Sequence, residues 1–497
     1  MLARYDKTDP KSIEAYGRKM IGHTFREIYK AGVDSKLVQE DAPVDYVESH
    51  ARKNYKGGVG TLVEECYFGY KANNDAQPDF PEAGVELKVT PYVETRKTKA
   101  NPAGFRAKER LVLTMINYME IIKEKDFEHS HLWAKAQLML LVWYLHIKGK
   151  NDIDSCIDFV QLFTPPPEDL EIIREDYEKI MAKIRAGKAH ELSEGDTLYL
   201  GACTKAATAA DRTTQPCSEI LAKPRAFSFK NSYMTYVFTH YFLQGKVTYH
   251  KENRILKPGE KLTDFERSIE TRITAYRGWS VRELAQRFSV TSDAKSRMAI
   301  LAFRILGVTG NQCEEFEKAG IAVKTIRIQM NGRIRENMSF PPFRYQELAE
   351  ETWDESELRD YLSSTRFFFI VYREDETGNY RLDSAKFWNI PYADLEGDVR
   401  DVWQETHDII KEGRLTLEIE EDGKIVNNLP KKKDHPISHV RPHGRNREDT
   451  YPLPEGTHLT TKGEGRGIWQ DDTCYTKQCF WLNNDYILRQ IEAGKDK

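Results

Sequence analysis

The chain has 497 residues, enough for two or three domains with sizeable hydrophobic cores. Hydrophobic residues make up 40% of the chain and charged residues 31%, and the net charge of −4 excludes a uniformly basic coat for nucleic acid. The amino terminus lacks a basic flank followed by an apolar run, so we expect no secretory signal and a cytoplasmic location. Seven scattered cysteines without a CxxC pair favour reduced thiols over disulfides.

Hydrophobic spacing predicts the elements of the first half of the chain. Apolar residues at helical spacing predict a helix over roughly Ser12–Tyr29 and a second over about Gly58–Lys71. The run from Leu138 to Leu145 is too short to cross a membrane and indicates a buried central strand. The other predicted elements are strands near 84–91, 110–117 and 137–147 and a helix near 168–187. This mixture of helices and strands indicates a mixed α/β fold.

The most informative stretch is Pro78-Asp79 followed by a short strand that carries Glu86 and Lys88. Side chains two residues apart on a strand share one face, about 7 Å from each other. A turn at residues 82–84 would bring Asp79 back beside Glu86. Two carboxylates with a neighbouring ammonium form a magnesium site with a charged helper, the PD…(D/E)xK pattern of metal-dependent nucleases. The alternative is an ordinary edge strand with solvated charges.

The second half of the chain repeats the first in weaker form. Residues 315–325 are similar to residues 79–89. Two further matches follow in the same order, 356–372 with the segment from 130 onward and 480–486 with 227–233. We therefore expect two domains of one fold, residues 1–245 and 264–497, joined by a polar linker at 246–263. Ala322 takes the place of Glu86 and Tyr361 that of Lys135, so the second domain is expected to bind without cleaving.

Two clusters of basic residues indicate loops that contact phosphates. The first spans 96–110 and the second 431–447, and each contains six lysines or arginines against a single acid. A solvated surface is the alternative for either cluster.

Several further stretches carry a family resemblance. They are Lys56–Glu64, Asp79–Lys88, Lys108–Leu113, Ser130–Lys135, Gly187–Gly195, Cys203–Lys205, Arg225–Ser228, Tyr233–Thr235 and His439–His443. With this combined spacing the chain resembles the MutH-like nucleases. The first half alone is similar to MutH, and the whole chain is similar to the Sau-3A type of restriction endonuclease.

The resemblance implies cleavage of double-stranded DNA at GATC with Mg²⁺, by two PD-(D/E)xK nuclease-fold domains in tandem with the second copy degenerate. Asp79 and Glu86 match the family's metal ligands, and Glu64 matches a further carboxylate of the metal site. Lys88 matches the catalytic lysine, and Lys135 matches a second active-site lysine.

The resemblance also implies which residues approach the DNA. Lys56 and Lys205 match residues near the bases, and Arg441-Pro442-His443 resembles the second domain's counterpart of the loop that ends at Lys205. Lysine can donate to O6 and N7 of guanine, which makes base reading by Lys205 chemically reasonable. Ser228 stands where MutH has a tyrosine, so a contact there, including any sensing of adenine methylation, is not implied.

Three functions fit this pattern. The leading one is a bacterial restriction enzyme of type IIE, a monomer when free and a possible dimer on DNA, whose second domain binds a second GATC site and activates cleavage by the first. The alternatives are a MutH-like nicking enzyme of mismatch repair and a non-catalytic DNA-binding repressor on a nuclease fold. The duplicated second half disfavours the former, and the intact Asp79, Glu86 and Lys88 disfavour the latter.

Overall fold

The chain forms two compact units. A computed structural model describes residues 5–34, 58–70, 77–95, 97, 101–147, 149–205, 211–245, 254–256, 264–291, 296–310, 313–353, 356–419, 425–462 and 471–493. The first unit comprises residues 1–265 and 312–320, and the second comprises 266–311 and 321–497. A short segment from the second half of the sequence therefore folds with the first unit.

The first unit is built on two sheets. Its strands are β1 (Glu86–Glu94), β2 (Phe105–Ala107), β3 (Leu111–Ile116), β4 (Met139–Leu145), β5 (Ile157–Phe163), β6 (Leu200–Thr204), β7 (Thr213–Gln215), β8 (Ser218–Ala222) and β9 (Arg225–Phe229). One mixed sheet has the order β2–β1–β4–β5, in which only the β1–β4 pair is parallel. An antiparallel sheet has the order β3–β9–β6, and β7 pairs with β8.

Helices cover and connect these sheets. The α-helices of the first unit are Pro10–Gly17, Phe25–Asp34, Gly58–Leu62, Tyr118–Ile121, His131–Ala136, Pro167–Arg185, Asn231–Tyr236 and Glu314–Ala319, with π-helical turns at Val63–Phe68 and Val237–Phe242. Short 3-10 turns lie at Arg18–Met20, Phe127–His129, Asp152–Asp154, Ala189–Glu191 and Glu194–Asp196.

Most of the predicted elements of this unit are confirmed. The three predicted strands correspond to β1, β3 and β4, and the predicted helix near 168–187 is Pro167–Arg185. In β4 every residue from Met139 to Tyr144 is buried, as expected for an inner strand of aliphatic and aromatic residues. Val85 and Leu87 pack with Leu140 in the same core.

The prediction of one helix over Ser12–Tyr29 is wrong. The chain forms two helices, because Gly22 has a φ of +86°, a conformation that breaks a right-handed helix and suits glycine. The Gly22 N–H donates to the Ile157 carbonyl at 2.8 Å, which fixes the break against β5. Thr24 and Glu27 then cap the next helix, each side chain accepting the other's backbone N–H.

The second unit also contains a mixed sheet and an antiparallel sheet. Its strands are β10 (Ile321–Ile328), β11 (Met338–Ser339), β12 (Arg366–Glu374), β13 (Tyr380–Trp388), β14 (Thr416–Ile419), β15 (Ile425–Asn427), β16 (Ser438–Pro442), β17 (Thr450–Pro452), β18 (Thr460–Lys462), β19 (Cys474–Thr476) and β20 (Gln478–Leu482). In the sheet β10–β12–β13 the first pair is parallel and the second antiparallel, and β11–β20–β16 is antiparallel. The smaller sheets are β15–β14–β18 and β17–β19.

The helices of the second unit flank these sheets. They are Phe265–Thr274, Val281–Arg287, Arg297–Ile305, Tyr345–Glu350, Glu357–Ser364, Tyr392–Asp394, Arg400–Lys411 and Asn484–Glu492, with a π-helical turn at Leu395–Val399.

Of the expected linker at 246–263, only residues 254–256 lie in the described part of the chain. Ile255 and Leu256 are buried, and their backbone N–H groups donate to the Glu315 carboxylate. All seven cysteines are free thiols, as expected. Across the described ranges, no helix is both long and apolar enough to span a bilayer.

Candidate active site

A tight turn brings Asp79 alongside β1. Phe80 and Val85 exchange backbone hydrogen bonds of 2.9 and 3.2 Å, which closes the turn at residues 81–84. Gly84 in this turn has a φ of +65°, a conformation that favours glycine. Asp79 Oδ2 then accepts the N–H of Leu87 at 2.8 Å. The return of Asp79 to the strand, which the sequence predicted, is therefore present.

Glu86 is the centre of the site. Its side chain is almost completely buried, and its Oε1 accepts from Lys88 Nζ at 2.7 Å and from Lys135 Nζ at 3.4 Å. Lys88 reaches it along the same face of β1. Lys135 comes from the helix His131–Ala136, which Ser130 caps through the N–H of Trp133 and which leads directly into β4, the parallel neighbour of β1.

The second oxygen of the same carboxylate is unsatisfied. Glu86 Oε2 is buried and accepts no hydrogen bond from the described residues. A buried charged acceptor without a partner costs more than the roughly 1–3 kcal/mol typical of a neutral group. Such an atom suits the ligand of a cation, because a bound metal ion would satisfy this oxygen.

Three carboxylates and two ammonium groups interact in this partly buried site. Burial, followed by the charges of Asp79 and Glu86, raises the pKa of Glu64 to about 7, although Lys88 opposes the shift. Burial and the charge of Glu86 also raise the pKa of Asp79. Glu64 lies in the π-helical turn Val63–Phe68, a type of turn that is frequent at functional sites. Buried carboxylates whose pKa values rise in this way are candidates for a functional site.

The residues present fit a divalent ion held by two carboxylates. Over the ranges that the structure describes, no three His, Cys, Asp or Glu side chains converge as a complete ligand set. Mg²⁺ usually takes one or two carboxylates and fills its remaining positions with water and substrate phosphate. Asp79 and Glu86 meet this requirement, and Glu64 adds negative charge nearby.

Tyr70 is a neighbour of this site that sequence reasoning missed. Its hydroxyl is buried without a hydrogen-bond partner in the described part of the chain, and its ring packs edge-on against Phe80 at 5.2 Å. Burial, then the charges of Asp79 and Glu64, raise the pKa of Tyr70. A lone tyrosine after a helix carries no sequence signal, so only the three-dimensional structure reveals it.

The residues that were expected to contact DNA are not part of the carboxylate cluster. Lys205 is exposed at the end of β6, in the antiparallel sheet of the first unit. In the second unit, Arg441 and His443 are exposed at the end of β16, and both pack on Trp481 of β20, at 5.7 and 5.6 Å from its ring. Lys56 lies outside the described residues.

Known proteins are similar to this chain over part or nearly all of its length. The family model of the DNA mismatch repair enzyme MutH matches residues 68–176. The type II restriction enzyme Sau3AI of Staphylococcus aureus is 38% identical over 471 residues, which cover 88% of this chain and 93% of that enzyme. The DNA mismatch repair protein MutH of Shewanella amazonensis is 30% identical over 186 residues, covering 36% of this chain and 76% of its own length. For MutH of Serratia proteamaculans the identity is 28% over 199 residues, covering 38% and 80%.

The two kinds of relative match different lengths of this chain. The matches to the two MutH proteins cover little more than a third of it, whereas the match to the restriction enzyme extends through nearly all of both proteins. The chain therefore belongs to the family of type II restriction enzymes, and it contains a MutH-like nuclease domain.

Proposed function

We propose that this protein cleaves double-stranded DNA at GATC by Mg²⁺-dependent phosphodiester hydrolysis. The observation that carries the proposal is Glu86, a buried carboxylate that binds two lysines through one oxygen and leaves the other unsatisfied. Restriction endonucleases generally use a divalent metal ion, and the oxygen ligands here suit Mg²⁺. The GATC specificity follows from the family resemblance.

Each residue of the site has a distinct role in this proposal. Asp79 and Glu86 hold the ion, which, when bound, polarises the phosphate and acidifies a water molecule. Lys88 Nζ, held against Glu86, donates to the attacking water or to the phosphate oxygen on which negative charge develops. Lys135 provides a second positive charge from a buried position. Glu64, with its pKa near neutrality, can hold or release a proton at the edge of the site.

Recognition of the bases is assigned to Lys205 and Lys56. Lys205 directly follows β6, and its backbone N–H donates to the Pro224 carbonyl at 2.8 Å, which fixes the backbone of Lys205 itself. A lysine held in this way can donate to O6 and N7 of guanine in the major groove. Lys56 is assigned a second contact to the bases from the family resemblance alone.

The second half of the chain is proposed to be a degenerate copy of the first, with domains in sequence near 1–245 and 264–497, although the segment 312–320 folds with the first unit. Both units have a parallel strand pair followed by an antiparallel strand, β1–β4–β5 and β10–β12–β13. A glycine at φ +65° precedes the first strand of each parallel pair, Gly84 before β1 and Gly320 before β10. A serine caps the helix that precedes the second strand of each pair, Ser130 before β4 and Ser356 before β12.

Hydrogen-bond register supports the same correspondence in finer detail. The N–H of Lys205 donates to the Pro224 carbonyl and that of His443 to the Lys477 carbonyl, both at 2.8 Å beyond the last antiparallel pair. His443 therefore corresponds to Lys205. Its neighbour Arg441, over the Trp481 ring, is the first candidate for DNA binding by the second unit.

A copy of this kind would bind DNA without hydrolysing it. Ala322 stands in the place of Glu86 and provides no carboxylate, and Tyr361 stands in the place of Lys135. We propose that the second unit binds a second GATC site and thereby activates cleavage by the first, so that two sites take part in each active complex. Coupling of this kind is typically worth about 1–3 kcal/mol.

The test is cleavage of supercoiled plasmids that carry one or two GATC sites, with Mg²⁺ present. The proposal predicts double-strand cuts, faster cleavage per site on the two-site plasmid, and rescue of the one-site plasmid by an added GATC duplex. Nicking alone would instead indicate a MutH-like enzyme, and binding without any cleavage would indicate a repressor. Equal rates on both plasmids, with no response to added duplex, would contradict the effector role.

A further inference from the structure

The second unit contains a cavity beside β10. Its volume is about 190 Å³, and β10 and the segment 334–339 form its walls together with Ile487. Because ligand pockets for drug-sized molecules measure about 300–1,000 Å³, this cavity suits a smaller group. It is large enough for a single phosphate and too small for a whole nucleotide.

Lys324 is one of the charged residues that line this cavity. It forms no ion pair or hydrogen bond with any residue that the structure describes, and burial lowers its pKa. In the first unit the corresponding Lys88 lies 2.7 Å from Glu86 Oε1. Ala322 replaces that carboxylate here. A partly buried ammonium without an anion is costly, so Lys324 is a lysine that lacks a counter-charge.

The rest of the lining is also suited to an anion. Arg327 and Arg335 add two positive charges, and Glu336, which pairs with Arg327 at 3.1 Å, is the only acid that lines the cavity. Three cations against one acid leave a net charge of about +2 on the lining. Asn337 accepts a backbone hydrogen bond through its Oδ1, which leaves its amide N–H₂ to donate.

We propose that this cavity binds one backbone phosphate of the DNA held by the second unit, with Lys324 as its principal contact. The replacement of a carboxylate by Ala322 has then converted a site for a cation into a site for an anion. The assignment to DNA rests on the effector role proposed above, whereas affinity for phosphate depends only on the cavity.

The experiment compares the full-length wild-type protein with three variants. Lys324→Met removes the ammonium, and Ala322→Glu leaves it in place but supplies the carboxylate found in the first unit. Lys411→Met is the matched control, because it removes an exposed lysine on the helix Arg400–Lys411, away from the cavity lining. A single cooperative thermal unfolding transition in chloride establishes that a variant is folded, and Lys324→Met alone suffices if Ala322→Glu does not fold.

Two measurements are made on each protein. The first is the rise in the thermal unfolding midpoint when inorganic phosphate replaces chloride at constant ionic strength. Because phosphate also stabilises proteins by exclusion from their surface, only the difference between variants is interpreted. The second is the concentration of GATC duplex that half-activates cleavage of a one-site plasmid.

We expect both cavity variants to lose part of the phosphate-dependent rise, and Lys411→Met to retain all of it. Both should need about tenfold more duplex for activation, as for loss of one charged hydrogen bond. A phosphate response that depends on Lys324, combined with unchanged duplex activation, would assign the cavity to a free phosphate and overturn its assignment to DNA. Equal phosphate responses in all four proteins would overturn the anion site itself.

The two measurements also distinguish failure of the proposed effector role from failure of the anion site. If duplex does not activate the wild-type protein at all, the effector role and the DNA assignment both fail. In that case a phosphate response that depends on Lys324 would still support the anion site.

Discussion

Glu64→Gln tests whether three carboxylates share one partly buried site. Burial, then the charges of Asp79 and Glu86, raise the pKa of Glu64 from its ordinary 4.5 to about 7. Ionising Glu64 is therefore harder in the folded chain than in the unfolded chain. The stability associated with the neutral side chain is fully present below about pH 4.5, and it is lost as the pH rises through about 7.

The size of this effect follows from the pKa. One pKa unit corresponds to about 1.4 kcal/mol, so a rise from 4.5 to about 7 amounts to about 3 kcal/mol. Because the side chain keeps partial access to water, we reduce this to about 2 kcal/mol. Glutamine cannot ionise, and Glu64→Gln should therefore gain about 2 kcal/mol of stability relative to wild type between pH 4.5 and pH 8.

The assay is urea denaturation of both proteins at several pH values, with a chelator to remove metal. Glu82→Gln, at an exposed position in the turn before β1, is the control and should not change the pH dependence. Added Mg²⁺ should reduce the difference at pH 8, because a bound cation offsets the carboxylate charges. A stability difference that does not vary with pH would refute the account of the carboxylate cluster.

Four further substitutions test other parts of the account. Glu86→Ala should lower the single-turnover cleavage rate at least about a hundredfold and retain GATC binding in gel shifts, and near-normal cleavage would contradict the metal site. Lys205→Ala should reduce discrimination between GATC and unrelated duplex by about 1–3 kcal/mol in competition binding, whereas equal weakening on both would indicate a phosphate contact. Arg441→Ala should weaken activation of a one-site plasmid by added duplex and leave its unactivated cleavage rate unchanged, whereas normal activation would exclude Arg441 from the effector surface. Tyr70→Phe should leave the free energy of unfolding in urea unchanged or raise it by up to about 1 kcal/mol, because the lost hydroxyl has no partner among the described residues. The control Tyr5→Phe, which removes a hydrogen bond of 3.1 Å, should cost about 1 kcal/mol, and a similar loss for Tyr70→Phe would refute the interpretation.

Asp79, Glu86 and Lys88 could be predicted from sequence because their geometry is local, whereas Lys135 and Glu64 were expected only from the family resemblance. The turn before β1 and the alternation along the strand place Asp79, Glu86 and Lys88 together within ten residues. The apolar run of β4 marks the adjacent strand, and Lys135 precedes it by a few residues. Period-two alternation and turn chemistry are the patterns that a sequence displays most clearly.

Longer-range features could not be predicted. Glu314 and Lys318 are spaced like an ordinary exposed ion pair on a helix, and the sequence repeat places them with the second half. In the structure Lys318 is fully buried in the first unit, with its Nζ 2.6 Å from Asp169 Oδ1, which is 149 positions earlier in the chain. No periodic pattern shows that such a lysine is buried or identifies its partner.

The π-helical turn that carries Glu64 is a second example. The apolar spacing of residues 58–71 predicts a helix there, and a helix is found, but the wider turn at Val63–Phe68 has no signature in the spacing. The pKa of Glu64 depends on where this turn places its carboxylate, so it could not be derived from sequence.

The central claim is that one unit cuts GATC while the other binds it. The most direct measurement is the ratio of duplexes to chains in complexes of the Glu86→Ala protein with a GATC duplex, determined by native mass spectrometry. If the chain binds DNA as a monomer, two binding units predict complexes with two duplexes per chain, and if the first units of a dimer share one duplex, they predict three duplexes per two chains. Complexes that never exceed one duplex per chain, at saturating duplex, would contradict the claim.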